Sequence, residues 1–185
     1  PYLCFHRALV PGASCKLCVV EVKEKHKPPK TRLSCAIKIR DGMEITTESA
    51  MVHQQRNKAI GNLLKMAPHA DIIHRIGEEF GLTTGGKPDG CIRCRLCVRI
   101  CKDIIGAKAI KMVKRDGTSY VSPSETGNCI GCGTCANICP TSAIRLEDEG
   151  SVRKILIRDE IIGTHPLERC EICGRRFATT KFLEH

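Results

Sequence analysis

Aromatic residues are scarce in this chain of 185 residues: they make up 3% of the composition, and tryptophan is absent. A conventional hydrophobic core would therefore be small, and other internal cross-links are expected to hold the fold together. The formal net charge of +10 is enough to attract nucleic acid or an acidic protein. With so few rings to stack on bases, nucleic acid is not the expected partner.

Long hydrophobic runs and nucleotide-binding motifs are also missing. No stretch approaches the roughly 18 continuous apolar residues that a membrane-spanning helix requires. No signal peptide is visible, and neither the G-x-G-x-x-G nor the P-loop pattern occurs. We therefore expect no membrane span and no catalytic residues in this chain.

Cysteine, in contrast, is abundant, with 14 residues. Two runs share the spacing C-x2-C-x2-C-x3-C, and Pro140 follows the second. In bacterial ferredoxins this spacing holds [4Fe–4S] clusters, and the fourth cysteine of each run ligates the other cluster. The first predicted cluster is therefore held by Cys91, Cys94, Cys97 and Cys139. The second is held by Cys129, Cys132, Cys135 and Cys101.

Zinc is the alternative interpretation of these runs. Tetrahedral zinc is held by two close cysteine pairs rather than by four sulfurs in one short loop, so the spacing favours clusters. A disulfide framework would instead indicate a secreted protein. Metal ligation indicates a reducing, cytoplasmic location.

A second group of cysteines occupies residues 1–50, with gaps of ten, two and sixteen residues. Strand-like sequence follows the close pair at Cys18–Val22 and returns at Gly42–Thr47. Four thiolates meet the needs of a [2Fe–2S] cluster, although the first gap is longer than in plant-type ferredoxins. Zinc or structural thiols are the alternative. The four candidate ligands are Cys4, Cys15, Cys18 and Cys35.

Two stretches make the resemblance specific: LCFHRALVPGASCKLCVVEV and LSCAIKIRDGMEITTES. They closely resemble the N-terminal ferredoxin module of the complex I 75-kDa subunit, of NAD-linked nickel–iron hydrogenase diaphorase subunits and of iron-only hydrogenases. The resemblance implies a β-grasp fold with [2Fe–2S] on the four cysteines of residues 1–50. That module begins with a hairpin and a helix ahead of its first ligand, so we expect the given sequence to be incomplete at its N-terminus.

The remaining segments give an α+β fold of four parts. After the [2Fe–2S] module at 1–50, apolar residues at helical spacing predict helices over 51–66 and 69–80, within a helical linker region at 51–86. A bacterial-type two-cluster ferredoxin domain is predicted at 87–150. It is an internal repeat of thirty-eight residues, with a four-residue insertion in the first half. Residues 151–162 return to a strand-like pattern within the tail, 151–185.

Members of the complex I family place one more [4Fe–4S] cluster between these modules, with the pattern H-x3-C-x2-C-x5-C. Counting from His69, the cysteine positions fall on Ile73, Ile76 and Leu82, none of which can ligate iron. We therefore predict that a hydrophobic contact replaces this cluster. His69 is then expected to be a surface or capping residue.

The tail carries a further pair, Cys170-x2-Cys173, followed by Phe177, Leu183 and His185. This spacing is typical of the first half of a zinc finger, with the histidine one residue early. Cys170, Cys173 and His185 are candidate zinc ligands in a knuckle completed by ligands downstream. A further iron–sulfur cluster and buried free thiols are the alternatives.

The two cluster loops differ in charge. The first carries Arg93, Arg95 and Arg99, where the second has Gly131, Gly133 and Asn137. Since reduction adds negative charge to a cluster, nearby cations favour the reduced form. We therefore predict the higher reduction potential for the cluster on the first loop.

These features predict an electron-relay subunit without a catalytic centre of its own. The resemblance implies one partner that binds flavin and NAD(P)H, and another that holds a hydrogenase, formate dehydrogenase or similar centre. Soluble ferredoxin is a further candidate partner, and an electron-bifurcating complex is one form that the assembly could take. The alternative is a non-redox binding protein whose domains are stabilised by structural metals.

Overall fold

The computed structural model describes residues 1–68, 70–82, 90–115 and 117–185. It divides into two compact units, Pro1–Cys94 and Arg95–His185. Helices and strands occur in both, which confirms the predicted α+β class. The finer division into four segments stays a prediction.

The first unit contains a three-stranded antiparallel sheet in the order β2-β1-β3. The strands are β1 (Val19–Lys23), β2 (Lys30–Leu33) and β3 (Glu44–Thr46). The β-branched side chains of β1 favour a strand, and Val19, Val20 and Val22 are buried. The two strand-like stretches predicted here are confirmed, with slightly different ends.

Helix α1 (Ala50–Met66) follows the sheet and confirms the helix predicted over 51–66. Ser49 begins it as the N-cap: its hydroxyl accepts a hydrogen bond from Val52 N and donates one to Glu21 of β1. The buried face contains Val52 and Ile60, whereas Met51, also apolar and within the predicted helix, is exposed. That face also buries an arginine that the hydrophobic pattern did not predict.

Arg56 is that residue, and its side chain is only 4% exposed. Its guanidinium donates to the carbonyl oxygens of Val19 (3.3 Å) and Thr47 (3.2 Å) and to Glu48 (3.2 Å). It also lies 4.9 Å from the ring centre of Phe80. Backbone carbonyls at the ends of two strands accept from one terminal nitrogen and so offset part of the cost of burying the charge, although Nε has no hydrogen-bond partner among the described residues.

Helix α2 (Asp71–Glu79) packs against α1. It is shorter than the predicted 69–80 helix, and His69 lies outside the described residues. Ile73 and Ile76 are buried, which confirms that these two positions are used for packing. Gly77 allows a close approach, since a Cβ there would lie 2.9 Å from the Leu82 carbonyl oxygen. The end of the predicted linker region, from residue 83, also lies outside the described residues.

The second unit begins with two short helical segments. Helix α3 (Leu96–Arg99) runs directly into a π-helical turn, Ile100–Ile104. Its counterpart in the other half of the repeat, α4 (Thr134–Asn137), is a single turn of helix. The π-helical turn and the residues after it accommodate the predicted four-residue insertion.

Two antiparallel sheets complete the second unit. Strands β4 (Ile110–Arg115) and β5 (Thr118–Pro123) form a hairpin. A four-stranded sheet follows in sequence order. Its strands are β6 (Ile144–Glu149), β7 (Val152–Ile157), β8 (Glu160–Arg169) and β9 (Arg176–Thr179). A last turn of helix, α5 (Thr180–Leu183), closes the chain.

The four-stranded sheet joins the end of the second cluster repeat to the tail. β6 pairs along its whole length with β7, from Ile144 opposite Ile157 to Glu149 opposite Val152. The predicted domain boundary at 150/151 therefore falls in the turn of this hairpin. The alternating sequence of 151–162 predicted strands correctly, but alternation alone does not identify the partner of a strand.

Candidate metal centres

The four cysteines of residues 1–50 come together as two pairs. Cys4 Sγ and Cys15 Sγ lie 3.4 Å apart, and Cys18 Sγ and Cys35 Sγ lie 3.3 Å apart. Lys16, in the left-handed region with φ of 58°, turns the loop between Cys15 and Cys18. Each iron of a [2Fe–2S] cluster takes two thiolates, so this arrangement of two pairs fits the group.

The thiols of these pairs differ strongly in acidity. The hydrogen bond between the two side chains lowers the pKa of Cys4 to about 4 and raises the pKa of Cys15. Cys15 also donates its backbone N–H to Cys4 Sγ at 3.4 Å. Burial, followed by the hydrogen bond with Cys18, raises the pKa of Cys35 to about 11. The hydrogen bond thus favours one thiolate within the Cys4–Cys15 pair, and ligation of metal must remove the remaining protons.

The predicted ligands of the first [4Fe–4S] cluster are divided between the two units. In the first unit Cys94 is buried, and Cys91 Sγ accepts the backbone N–H of Arg93 at 3.4 Å. In the second unit Cys97 is buried at the start of α3. Cys139 Sγ lies 3.8 Å from the Thr141 hydroxyl. This ligand set stays a prediction.

The predicted ligands of the second [4Fe–4S] cluster line one cavity in the second unit. Apolar side chains form its other walls, including Ile100 of the π-helical turn, Ile155 of β7 and Ile162 of β8. The four cysteines that line it are Cys101, Cys129, Cys132 and Cys135.

The thiols of this cavity have donors of their own. Gly131 N donates to Cys129 Sγ (3.4 Å), Ala109 N to Cys101 Sγ (3.3 Å) and the Thr134 hydroxyl to Cys132 Sγ (3.3 Å). Burial raises the pKa values of Cys101 and Cys129, and it raises the pKa of Cys135 to about 12. Four thiols with N–H and O–H donors around an apolar space fit a [4Fe–4S] cluster, because a metal supplies the charge that holds buried thiolates.

Backbone angles repeat between the two cluster loops. Arg93 and Arg95 have φ of 56° and 61°, and the matching Gly131 and Gly133 both have φ of 74°. A helix starts directly after the second left-handed residue in each loop. The repeat in sequence is therefore a repeat in conformation, although only one copy uses glycine for it.

Packing explains the two glycines of the second loop. A Cβ on Gly131 would lie 2.5 Å from Thr179 Cγ2 and 2.9 Å from His165 Cδ2. A Cβ on Gly133 would lie 2.5 Å from Leu146 Cδ1. The four-stranded sheet thus covers the second loop closely: at Gly131 the buried Thr179 leaves no room for a side chain, and at Gly133 the end of the Leu146 side chain would have to move.

Residues of the tail that sequence reasoning missed also hold this loop. Thr179 is fully buried and donates its hydroxyl to the Ile130 carbonyl at 2.5 Å. Arg153 of β7 donates to the Gly131 carbonyl at 3.3 Å. Burial, and after it the charge of Lys181, lowers the pKa of His165. These residues have no cluster motif, and only the sheet pairing brings them to the loop.

Cys170 and Cys173 lie in the turn between β8 and β9. Cys170 N donates to the Arg175 carbonyl (2.8 Å), and Gly174 N donates to the Cys170 carbonyl (2.9 Å). Backbone N–H groups of Cys173 and Ile172 lower the pKa of Cys170. The third predicted ligand, His185, instead has Nε2 2.6 Å from the Ile105 carbonyl.

Single-ion sites are a separate question from clusters. The described part of the chain contains no group of three or more Cys, His, Asp or Glu arranged to hold one metal ion. The zinc site with His185 therefore stays a prediction. Across the same residues, no helix combines the length and the apolar character needed to cross a membrane.

Three family descriptions match the chain. A 2Fe-2S iron-sulfur cluster binding domain matches residues 1–50. Two forms of a 4Fe-4S dicluster domain match residues 90–144 and 128–177. The second of these extends over Cys170 and Cys173.

Curated relatives match most of this chain with a small part of their own length. The alpha subunit of an NADPH-Fe(3+) oxidoreductase from Geobacter sulfurreducens is 25% identical over 174 residues, 78% of this chain and 20% of the relative. A subunit of an NADH-quinone oxidoreductase from Rhizobium meliloti is 26% identical over 176 residues, with the same shares. The chain thus spans about a fifth of the length of these relatives.

A solved structure shares the fold. It is a chain of an NAD+-reducing [NiFe]-hydrogenase in the H2-reduced state, with a TM-score of 0.61 and 22% identity. The match covers 77% of this chain and 73% of that one. Together these matches confirm the resemblance predicted from the two N-terminal stretches and the cysteine spacings: a 2Fe-2S cluster binding domain matches the N-terminal part of the chain, and 4Fe-4S dicluster domains match the part that follows.

Proposed function

We propose that the chain is an electron-relay subunit with one [2Fe–2S] and two [4Fe–4S] clusters. The observation that carries the proposal is the cavity of the second unit, where four thiols surround an apolar space. The paired thiols of the first unit support the same chemistry at a two-iron site. When bound, such clusters take up and release single electrons.

The residues around the cavity would serve this relay by fixing the thiolates and excluding water. Ile155 and Ile162 form apolar walls that keep the local dielectric low. The backbone N–H groups of Gly131 and Ala109 stabilise thiolate charge without a mobile cation. These N–H groups belong to the backbone, so they need to move little when the cluster gains an electron.

The partners are proposed from the named relatives. Subunits of NADPH- and NADH-dependent oxidoreductases support a partner that binds flavin and NAD(P)H. The NAD+-reducing hydrogenase supports a second partner with a hydrogenase, formate dehydrogenase or similar centre. Soluble ferredoxin and electron bifurcation remain alternatives for the far end of the relay. Cluster chemistry of this kind favours a reducing, cytoplasmic location.

Iron and acid-labile sulfide analysis of the reconstituted chain tests the cluster content. We expect about ten irons and ten sulfides, from one two-iron and two four-iron clusters. Cys135→Ala removes a thiol of the cavity and should lose about four irons. Thr164→Val, at an exposed position of β8, is the control and should keep all ten. If the protein has no visible absorption that decreases on addition of dithionite, the relay is contradicted and structural metals are favoured.

We also propose that Cys170 and Cys173 bind zinc. The backbone N–H groups that point to Cys170 would stabilise its thiolate, which is the form that binds metal. Zinc needs four ligands, of which this pair supplies two, and His185 is the third candidate. The 4Fe-4S dicluster match over 128–177 supports the alternative, an iron–sulfur site at the same pair.

A further inference from the structure

A histidine of the tail lies against the second cluster loop. His165 and Gly163 both belong to β8, two residues apart, so they face the same side of the sheet. A Cβ on Gly163 would lie 2.6 Å from Cys129 Sγ and 2.7 Å from His165 Nε2. Cys129 Sγ and His165 Nε2 both lie within 2.7 Å of this Cβ position, so the distance between the sulfur and the nitrogen is at most twice 2.7 Å. The missing side chain of Gly163 lets the imidazole and the thiol be neighbours.

The nitrogen that faces this thiol is unsatisfied. Nε2 of His165 is buried and has no hydrogen-bond partner among the residues that the structure describes. A buried imidazole nitrogen without a partner is costly, so its presence in a native fold calls for an explanation. The nearby Cys129 sulfur supplies one, because a thiolate in a cluster accepts hydrogen bonds.

The same edge of the ring also approaches the second cluster loop. Its Cδ2 lies 2.9 Å from the position that a Cβ on Gly131 would take. Gly131 is itself fixed, because Arg153 donates to its carbonyl oxygen and pairs with Asp148 through two hydrogen bonds of 2.8 Å. The edge of the imidazole that carries Nε2 therefore lies close to both Gly131 of the second cluster loop and Gly163 of β8.

We propose that His165 is a positioning residue that raises the reduction potential of the second [4Fe–4S] cluster, by donating its Nε2–H to the Cys129 thiolate. This inference rests on the proposed function. Reduction adds one electron and increases the negative charge on the thiolate sulfurs, so a donor stabilises the reduced form more than the oxidised form. No proton moves in this step, and the hydrogen stays on Nε2.

The inference opposes the order of potentials expected from sequence. Arg93 and Arg95 favour a higher potential for the first cluster, whereas His165 acts on the second. Cys129 already accepts the Gly131 N–H, so His165 would give this sulfur a second donor. The difference between the two potentials should then be smaller than the arginines alone predict.

The test compares the full reconstituted chain with His165→Leu, which removes the donor and keeps an apolar side chain. Thr164→Val, at the adjacent exposed position of β8, is the matched control. In an EPR-monitored redox titration, His165→Leu should lower the midpoint of one [4Fe–4S] signal. We expect about a tenfold change in the reduction equilibrium, which is about 59 mV for one electron. The other two cluster signals and the control should not change.

Iron analysis separates failure of this inference from failure of the relay. If His165→Leu keeps about ten irons and its midpoints equal those of the parent chain, His165 does not tune the cluster and the inference is overturned. If the parent chain itself binds no iron, the proposed function is wrong, and the inference that rests on it is wrong as well.

If His165→Leu binds its clusters poorly, a second variant and a second measurement still test the inference. His165→Gln keeps an N–H donor, so it should keep the parent midpoint if donation matters. A lowered midpoint in His165→Gln would count against donation. Pulsed EPR of protein labelled with 15N-histidine should show nitrogen coupling to one reduced [4Fe–4S] cluster, and His165→Gln should remove it. Absence of that coupling in the parent chain would overturn the inference.

Discussion

Gly163→Ala is the smallest change that probes how the tail meets the second cluster. The backbone of Gly163 lies outside the left-handed region, so alanine is acceptable there in conformation. Its methyl group, however, would lie 2.6 Å and 2.7 Å from Sγ and Cβ of Cys129 and 2.7 Å from His165 Nε2. Carbon contacts are optimal at about 3.5–4.0 Å, so β8 and the loop must separate by roughly 1 Å.

The cost of that separation follows from the stiffness of both neighbours. Cys129 is a proposed cluster ligand, and the ring of His165 lies against the second cluster loop at Gly131. Overpacking of this kind typically costs about 1–3 kcal/mol. For a unit of this size, each kcal/mol lowers the melting temperature by about 4–8 °C. We therefore expect a lower melting temperature for the second unit and faster loss of the second cluster.

The assay follows the cluster absorbance and the circular dichroism of the reconstituted chain during heating. Gly61→Ala is the matched control, because its new methyl group would have no atom of the described residues within 4 Å apart from its chain neighbours and the nearby backbone of its own helix. In the middle of α1, alanine should stabilise the first unit by about 0.5–1 kcal/mol. If Gly163→Ala has the same melting temperature and the same iron content as the parent chain, β8 does not approach Cys129 as closely as described.

Three further outcomes are expected. Arg56→Met leaves the carbonyls of Val19 and Thr47 without their donor and should destabilise the first unit by about 2–4 kcal/mol in urea unfolding; an unchanged midpoint would contradict this. Cys170→Ser should lower the zinc content while all cluster EPR signals remain, and loss of one signal would instead identify an iron–sulfur site. Arg95→Gly removes a charge from the first cluster loop, so a redox titration should show a lower midpoint for one [4Fe–4S] cluster; an unaltered value would mean that this exposed charge has no influence.

The cysteine spacings predicted most of the candidate site. They identified four thiols, Cys101 among them, that the structure places around one cavity although about thirty residues separate them in sequence. This worked because a cluster tolerates few ligand spacings, so the spacing carries much information. The helix over 51–66 was predicted for a similar reason, since a long apolar period specifies one face.

Other features could not be predicted because they depend on which strands pair. Alternation identified the strands of 151–162, but it did not show that β7 pairs with β6 or that β8 approaches Cys129. A lone histidine such as His165 has no spacing to mark it. The buried Arg56 was missed because a charged residue interrupts the apolar pattern, and its carbonyl partners come from distant strands.

The left-handed loops also make exchange between the two halves of the repeat possible in one direction only. Glycine adopts the left-handed backbone angles of Arg93 and Arg95 without strain. A sequence copied from the second half into the first is therefore compatible with the backbone there. The reverse copy would place arginine at Gly131, where Thr179 and His165 leave no room. Because a later sheet covers one of the two copies, the exchange is not symmetric: only the copy whose left-handed positions already carry side chains can accept the other's sequence.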